Sequence, residues 1–382
     1  MEGYFDTSYG RERAPRRSLI GRLADGVLTV LTAAVAATLL LTYAAPYVNP
    51  ASVWLFPVLG LIAPATYLAA VLLTLYWVVR WRPRRALAML LVTGCGLFGV
   101  SLFYKPELRR RYAETETKER GTLLFMTYNV RNFADDAGRN VAGKVLRFVQ
   151  ETAPDVVCFQ EYSPSLAEKS AEYRAFAQTY PHRVGGRGAE FEPMVLFSKH
   201  PVAGWGATRE GLPEDGIRES LWADIRIKDD TVRVFNNHLH STAIKAEDNE
   251  FITKHRYISD SAREDKIRSI VHRFRDNSIL RAEQADSIAK AVAATSLARI
   301  VCGDFNDTPM SYVYRTMARG LDDAFSSCGR GYSHTFRGFF NALRIDYVLV
   351  SDEFEPLTYE VPDVEFSDHL PVVVRMRYRY RH

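Results

Sequence analysis

Residues 298–307 read ARIVCGDFND, an apolar run that stops abruptly in two carboxylates and an amide, Asp304, Asn306 and Asp307. A short run of this kind punctuated by Gly303 is the pattern of a buried strand, and the polar cluster at its end has no reason to lie in a core. The same pattern recurs along the chain. LLFMTYNV ends at Val130 with Asn129 beside it, and DVVCFQE ends at Glu161. TVRVFNNHLHS carries His238 and His240 after Asn237, RIDYVLVS holds Asp346, and SDHLPV holds Asp368 and His369. MVLFS from Met194 and SLWADIRI from Ser220 add two more runs.

Helical spacing falls between the strands. Val141, Val145, Phe148 and Val149 mark one helix; Ile267, Ile270, Val271 and Phe274 mark a second, and Ile288 and Val292 a third beyond Leu280. Strand-rich alternation with few helices predicts two packed sheets flanked by helices, an α/β sandwich. Strand ends converge, so their polar residues share one cleft.

Upstream the composition changes. Val27–Ala45, Val53–Val79 and Ala86–Tyr104 are uncharged, and 19 residues of helix rise about 28 Å, near the thickness of a bilayer's hydrocarbon core. Three transmembrane helices (27–45, 53–79 and 86–104) are expected, with Pro57 and Pro64 as kinks. The predicted organisation is an anchor over 1–104, a charged linker over 105–120 and a catalytic domain over 121–382. Residues 1–120 carry 15 Lys and Arg against 8 Asp and Glu, while residues 121–382 carry 34 against 37. Arg11, Arg13, Arg16, Arg17 and Arg22 precede the first span, and Arg80, Arg82, Arg84 and Arg85 fill the second loop. The positive-inside rule then gives a multi-pass inner-membrane protein whose catalytic half is extracytoplasmic, in the periplasm. Gly94, Gly96 and Gly99 spell a dinucleotide-binding fingerprint, but within an apolar span they read as small residues that let helices approach.

With 382 residues, 47% apolar and 25% charged, the chain is neither disordered nor a disulfide scaffold. Its four cysteines are too sparse for a framework, and Cys158 and Cys302 sit in strand-like runs as small hydrophobes. No Cys or His spacing suggests zinc.

TYNVRNF, PDVVCFQE, NNHLHS, GDFNDTP, RIDYVLVS and SDHLPV together resemble, in order, the motif series of the endonuclease/exonuclease/phosphatase superfamily, over nearly all of 122–378. The resemblance implies a four-layer, DNase I-like α/β sandwich and Mg²⁺-dependent hydrolysis of phosphodiester bonds, with Mn²⁺ as a substitute. It implies Glu161 as a metal ligand with Asn129 beside it and Asp368 as a second contact. Asp304 would activate water, Asn306 would donate to a phosphate oxygen, and His369 paired with Asp346 would contact the phosphate or leaving group. His238 is the second imidazole; taken alone it is as often structural as functional, and His240 shares its face. Asp307, Arg344 and Asn237 read as supporting. The loop around Glu192 and Pro193 departs from many relatives, and the string around Asp346 lacks the Trp-Cys-Asp-Arg pattern of inositol 5-phosphatases.

The residue types suit that chemistry independently: an anionic phosphodiester needs a hard cation, an oriented water and donors for developing charge. The resemblance puts an endonuclease/exonuclease-type hydrolase first, with a lipid head-group phosphodiesterase of the sphingomyelinase type or a small-molecule phosphomonoesterase as the alternatives. The acidic body weighs against a long polyanion, and an anchor suits a lipid. No protein partner is inferable. The segment 243–255 is expected to cover the site.

Overall fold

The computed structural model describes residues 19–106, 121–135, 137–185, 193–208, 220–241 and 260–379. Arg11 to Arg17, most of the 105–120 linker, Glu192 and the expected cover at 243–255 lie outside the described residues.

The apolar runs form two six-stranded sheets. One contains β2 (Thr122–Asn129), β3 (Val156–Gln160), β4 (His182–Gly185), β5 (Val195–Ser198), β13 (Phe354–Glu360) and β14 (Val372–Tyr378), in the order β13-β14-β2-β3-β5-β4. The other contains β6 (Val202–Thr208), β7 (Ser220–Ile227), β8 (Asp230–His238), β9 (Ala298–Asp304), β10 (Asp322–Asp323) and β12 (Asp346–Val350), in the order β10-β12-β9-β8-β7-β6. Each is antiparallel apart from one central parallel pair, β2 with β3 and β8 with β9.

The two-residue alternation of side chains sorts these strands into layers. Phe125, Cys158, Val234, Ile300, Cys302 and Val348 face into the gap between the sheets and are buried there. The alternate residues Met126, Tyr128 and Phe159 pack outward against Val145, Leu146 and Val149 of helix Ala142–Thr152. On the opposite outer face, Phe235, Val301 and Tyr347 pack against Ile288 and Val292 of helix Asp260–Ala294 and Val313 of helix Tyr312–Met317. Helices, sheet, sheet and helices make the expected four-layer sandwich.

Two expectations about helices are corrected. The two helices expected to meet at Leu280 are one, Asp260–Ala294, because no Gly or Pro interrupts it and Ser278 Oγ donates back to Phe274 O at 2.7 Å within the same helix. The three expected spans are not all present. Among the described residues one helix, Gly21–Tyr47, is long and apolar enough to cross a membrane. It takes in all but the first two residues of α1 (Leu19–Ala44) and the short turn Ala45–Tyr47. The second run divides at Ile62 into α2 (Phe56–Leu61) and α3 (Ala63–Val79), since Pro57 and Pro64 each open a helix instead of kinking one. The third starts at Pro83 as α4 (Pro83–Cys95), taking Arg84 and Arg85 into its first turn, and breaks at Gly96 before α5 (Leu97–Val100). The glycine triplet thus has no strand before it and is no nucleotide loop.

These helices lean directly on the catalytic body. Ala63, Tyr67, Met89, Leu102 and Phe103 share one buried cluster with Phe305, Met310 and Tyr347. Thr308 Oγ1 donates to Gly60 O at 3.0 Å, and a Cβ at Gly60 would collide with the Met310 carbonyl. Arg344 donates to Leu102 O at 3.0 Å, and β1 (Tyr104–Lys105) pairs with β11 (Gly331–Tyr332). At the far end of the helices the buried Asp25 carboxylate accepts from Arg80 and Tyr76 and lies 3.8 Å from Arg82.

Candidate active site

The register of the two parallel pairs builds the site. His238 lies opposite Asp304 on the β8–β9 pair, Asp346 lies opposite Asp304 on the next strand, and Asn129 lies opposite Gln160, one residue before Glu161. Asn129, His238, Asp304 and Asp346 are in phase with Phe125, Val234, Cys302 and Val348, so they occupy the mouth of the gap whose interior is apolar. Asp304 follows Gly303, whose φ of +118° and contact with the Asn237 backbone leave no room for a Cβ. Glu161 (φ 50°) and Asn306 (φ 52°) also take left-handed backbone conformations, a strain that clusters at functional sites.

Asp304 is the hub and is 1% exposed. Its Oδ2 accepts from Asn129 Nδ2 and from Asn306 Nδ2, both at 3.1 Å, and its Oδ1 accepts from Asn306 N at 2.8 Å. Both imidazoles approach that same Oδ2, His238 Nε2 at 3.7 Å and His369 Nε2 at 3.7 Å. His238 Nε2 also lies 3.6 Å from Glu161 Oε1, and Asn129 Nδ2 donates to that oxygen at 3.3 Å. On the other side His369 Nδ1 lies 3.0 Å from Asp346 Oδ2. Seven of the eight residues expected from sequence therefore form one connected cluster. Asp368 borders the cluster: its carboxylate is 3.5 Å from Arg131 Nε and accepts from Ser367 Oγ, both of those residues bond to Asn129, and its charge acts on His369.

Burial sets the charges. It pushes the Asp304 carboxyl up to about 7, aided by Asp346 and opposed by His369. It disfavours the His369 imidazolium, but Asp346 and Asp304 outweigh it and hold that group at about 10. The pair therefore offers a base and a protonated imidazole at neutral pH, titrating together. Asp346→Asn should move the alkaline limb of the pH–rate profile from near 10 towards the ordinary imidazole value and lower kcat roughly 100-fold. An unmoved limb would exclude His369 as the titrating group.

The donor set suits a hard divalent cation. Glu161, Asp304 and Asp346 supply carboxylate oxygens, Asn129 turns its Nδ2 to Glu161 and Asp304 while its Oδ1 accepts from Arg131 N, and Asp304, Asp346 and His369 offer ligand atoms within 4.8 Å of one another.

Several participants escaped the sequence reading. Phe336 lies against the His369 ring, centroids 5.0 Å apart, and Thr335 Oγ1 accepts from Ile345 N and Asp346 N at 3.0 Å each. Neither stands out in a polar loop sequence. Arg281, 1% exposed, faces Asp307 Oδ2 at 3.6 Å and donates to His240 O at 3.0 Å. It did carry a signal, a cation seven residues from both Phe274 and Ile288 on the apolar face of its helix. The backbone amide of His240 donates to Gln284 Oε1 at 2.8 Å, just past the end of β8. Arg344 is structural, buried against Asp323 at 2.9 Å.

A two-sheet sandwich with acid, amide and imidazole groups at one mouth defines a phosphoesterase-type hydrolase. Residues 126–369 match the Endonuclease/Exonuclease/phosphatase family, and the chain belongs to that family. Residues 25–103 match a domain of unknown function. No curated protein sequence matches the chain. Similar solved structures include an endonuclease/exonuclease/phosphatase from Bacteroides vulgatus, 18% identical over 68% of this chain and 100% of that one with a TM-score of 0.49. A family member from Bacteroides thetaiotaomicron is 19% identical over 67% of this chain and 98% of its own, TM-score 0.47. A mannosyl-6-phosphatase from the same organism is 19% identical over 67% and 100%, TM-score 0.46.

Proposed function

We propose that the chain is a membrane-attached, Mg²⁺-dependent phosphodiesterase, with Mn²⁺ as a substitute. The observation that carries this reading is the buried Asp304 carboxylate held between two amides and two imidazoles at the open end of the sheets. Asn129 and Glu161 would hold the cation, which neutralises phosphate charge and supplies a Lewis acid when bound. Asp304 accepts the proton of the attacking water. Asn306 and His238 orient that water and donate to phosphate oxygens, while His369, kept protonated by Asp346, donates towards the leaving group. Asp368, paired with Arg131, is assigned to the rim.

Membrane attachment is supported by apolar side chains that the protein leaves uncovered, among them Val27, Val30, Leu72, Leu75, Leu90 and Leu91. Arg22 precedes most of α1, and Arg80 and Arg82 meet Asp25 near its start; with cations at that end, the positive-inside rule would put the body that follows α1 on the extracytoplasmic, periplasmic side. A nuclease role competes with hydrolysis of smaller or lipid-borne esters, and the net negative body favours the latter.

The test is hydrolysis of bis-p-nitrophenyl phosphate by the full chain in lipid discs. Chelation should abolish turnover and Mg²⁺ restore it. Glu161→Gln should raise the Mg²⁺ concentration for half-maximal rate about tenfold or more. Turnover that survives chelation would refute metal dependence, and an unchanged Mg²⁺ requirement would remove Glu161 from the metal site.

A further inference from the structure

A narrow recess of about 40 Å³, open at its mouth, lies beside the reacting cluster. Asn306, Phe336, Leu343 and Phe274 form its catalytic-side walls, and Pro57 and Leu61 of α2 close it from the anchor side. Two of these residues also belong to the site: Asn306 donates to Asp304, and Phe336 lies against His369. The recess therefore adjoins the reacting cluster through Asn306 and Phe336, with α2 on its other side.

The wall is fixed in place by the Thr308 bond to Gly60 O and by the close seating of Gly60 on Met310. At the two ends of α2 and on α3, Leu55, Ile62, Leu68 and Leu72 are exposed apolar side chains. Arg281, the cation on the recess wall, already donates to His240 O and Ser278 Oγ and faces Asp307. Such a recess fits hydrocarbon better than a chain of phosphates.

We propose that it receives the apolar portion of an amphiphilic phosphoester, a lipid whose phosphate lies at Asp304 and His369 and whose hydrocarbon passes along α2 towards the bilayer. This rests on the phosphodiesterase reading above. It also gives the anchor a role in selecting substrate as well as in tethering.

The experiment compares methyl, butyl and hexyl p-nitrophenyl phosphate diesters with the full chain in lipid discs and Mg²⁺. Each methylene taken from water is worth about a factor of four, so kcat/KM should rise at least roughly tenfold from methyl to hexyl. Leu61→Ser, which makes the wall polar, and Leu61→Trp, which fills the recess, should each lower the hexyl-to-methyl ratio about fivefold or more. Partitioning into the disc cancels in that comparison. A ratio unmoved in both variants while the methyl ester is still cleaved would overturn the lipid assignment and leave the phosphodiesterase reading standing. Faster cleavage of DNA or RNA than of the hexyl ester would overturn it in favour of a nuclease. No cleavage of any diester with Mg²⁺ or Mn²⁺ would remove both readings together.

Discussion

Asp304→Asn is expected to lower kcat by about three to four orders of magnitude with KM little changed. Size and position are nearly preserved, so the loss measures chemistry. Asp304 is the carboxylate that Asn129, Asn306, His238 and His369 all address. An amide cannot take the proton of an attacking water, and no neighbour replaces it: Asp346 is committed to His369 Nδ1, and Glu161 lies beyond Asn129 and His238. The fold should survive with a lower melting temperature, because the new NH₂ faces two amide donors, at a cost of about 1–3 kcal/mol. Rates taken well below that melting point separate the effects. Residual activity above about a tenth of wild type would show that Asp304 only supports the site.

The acid limb of the wild-type pH–rate profile should carry the same signature. Burial raises Asp304 from the usual carboxylate range to about 7, so its proton-accepting form is lost as pH falls through that region. A nearby bound cation draws the limb downward. The limb should therefore lie between 3.8 and about 7 and be absent in Asp304→Asn.

Much of this site was legible because a strand alternates with a period of two. A polar residue in phase with a run of buried apolar ones must either be paired inside or stand at the sheet's end, and Asn129, Asp304 and Asp346 each stand at an end. Phase alone could not separate His238 from His240. The distinction comes from where β8 stops pairing, at His238, and that is a tertiary fact. Phe336 and Thr335 were invisible because a loop has no period, and what places them is contact with His369 and Asp346. The anchor misled for a different reason. Hydropathy averages over a window and hides the two prolines that begin helices, so an uncharged stretch looked like one span where the chain makes α2 and α3. Nor does hydropathy show which apolar residues meet the catalytic body. The charged linker looks like a clean boundary in the sequence, yet Leu102 and Phe103 just before it are buried, 7% and 4% exposed, in the catalytic body's own cluster.

That contact makes a second large effect testable. A chain starting at Gly121, the boundary suggested by charge pattern, should not fold to the native state, whereas the full chain in detergent or lipid should. Removing the first 120 residues takes Ala63, Tyr67, Leu102 and Phe103 out of the buried cluster they share with Phe305, Met310, Val313 and Tyr347. Losing even two large apolar partners costs about 3–6 kcal/mol. Arg344, fully buried, would also lose the Leu102 carbonyl while still tied to Asp323, adding about 1–3 kcal/mol. Against a typical stability of about 5–15 kcal/mol, the sum removes most of the margin. The expected result is aggregation, or a melting temperature more than about 10 °C below that of the full chain. Single changes should report the same coupling on a smaller scale: Leu102→Ala should destabilise the full chain by about 2–4 kcal/mol. A truncated chain that melts with the full chain's temperature and cooperativity would show the helices to be a mere tether. It would also deprive α2 of any fixed place beside Asn306, since the same seam that stabilises the body holds Pro57 and Leu61 against the site.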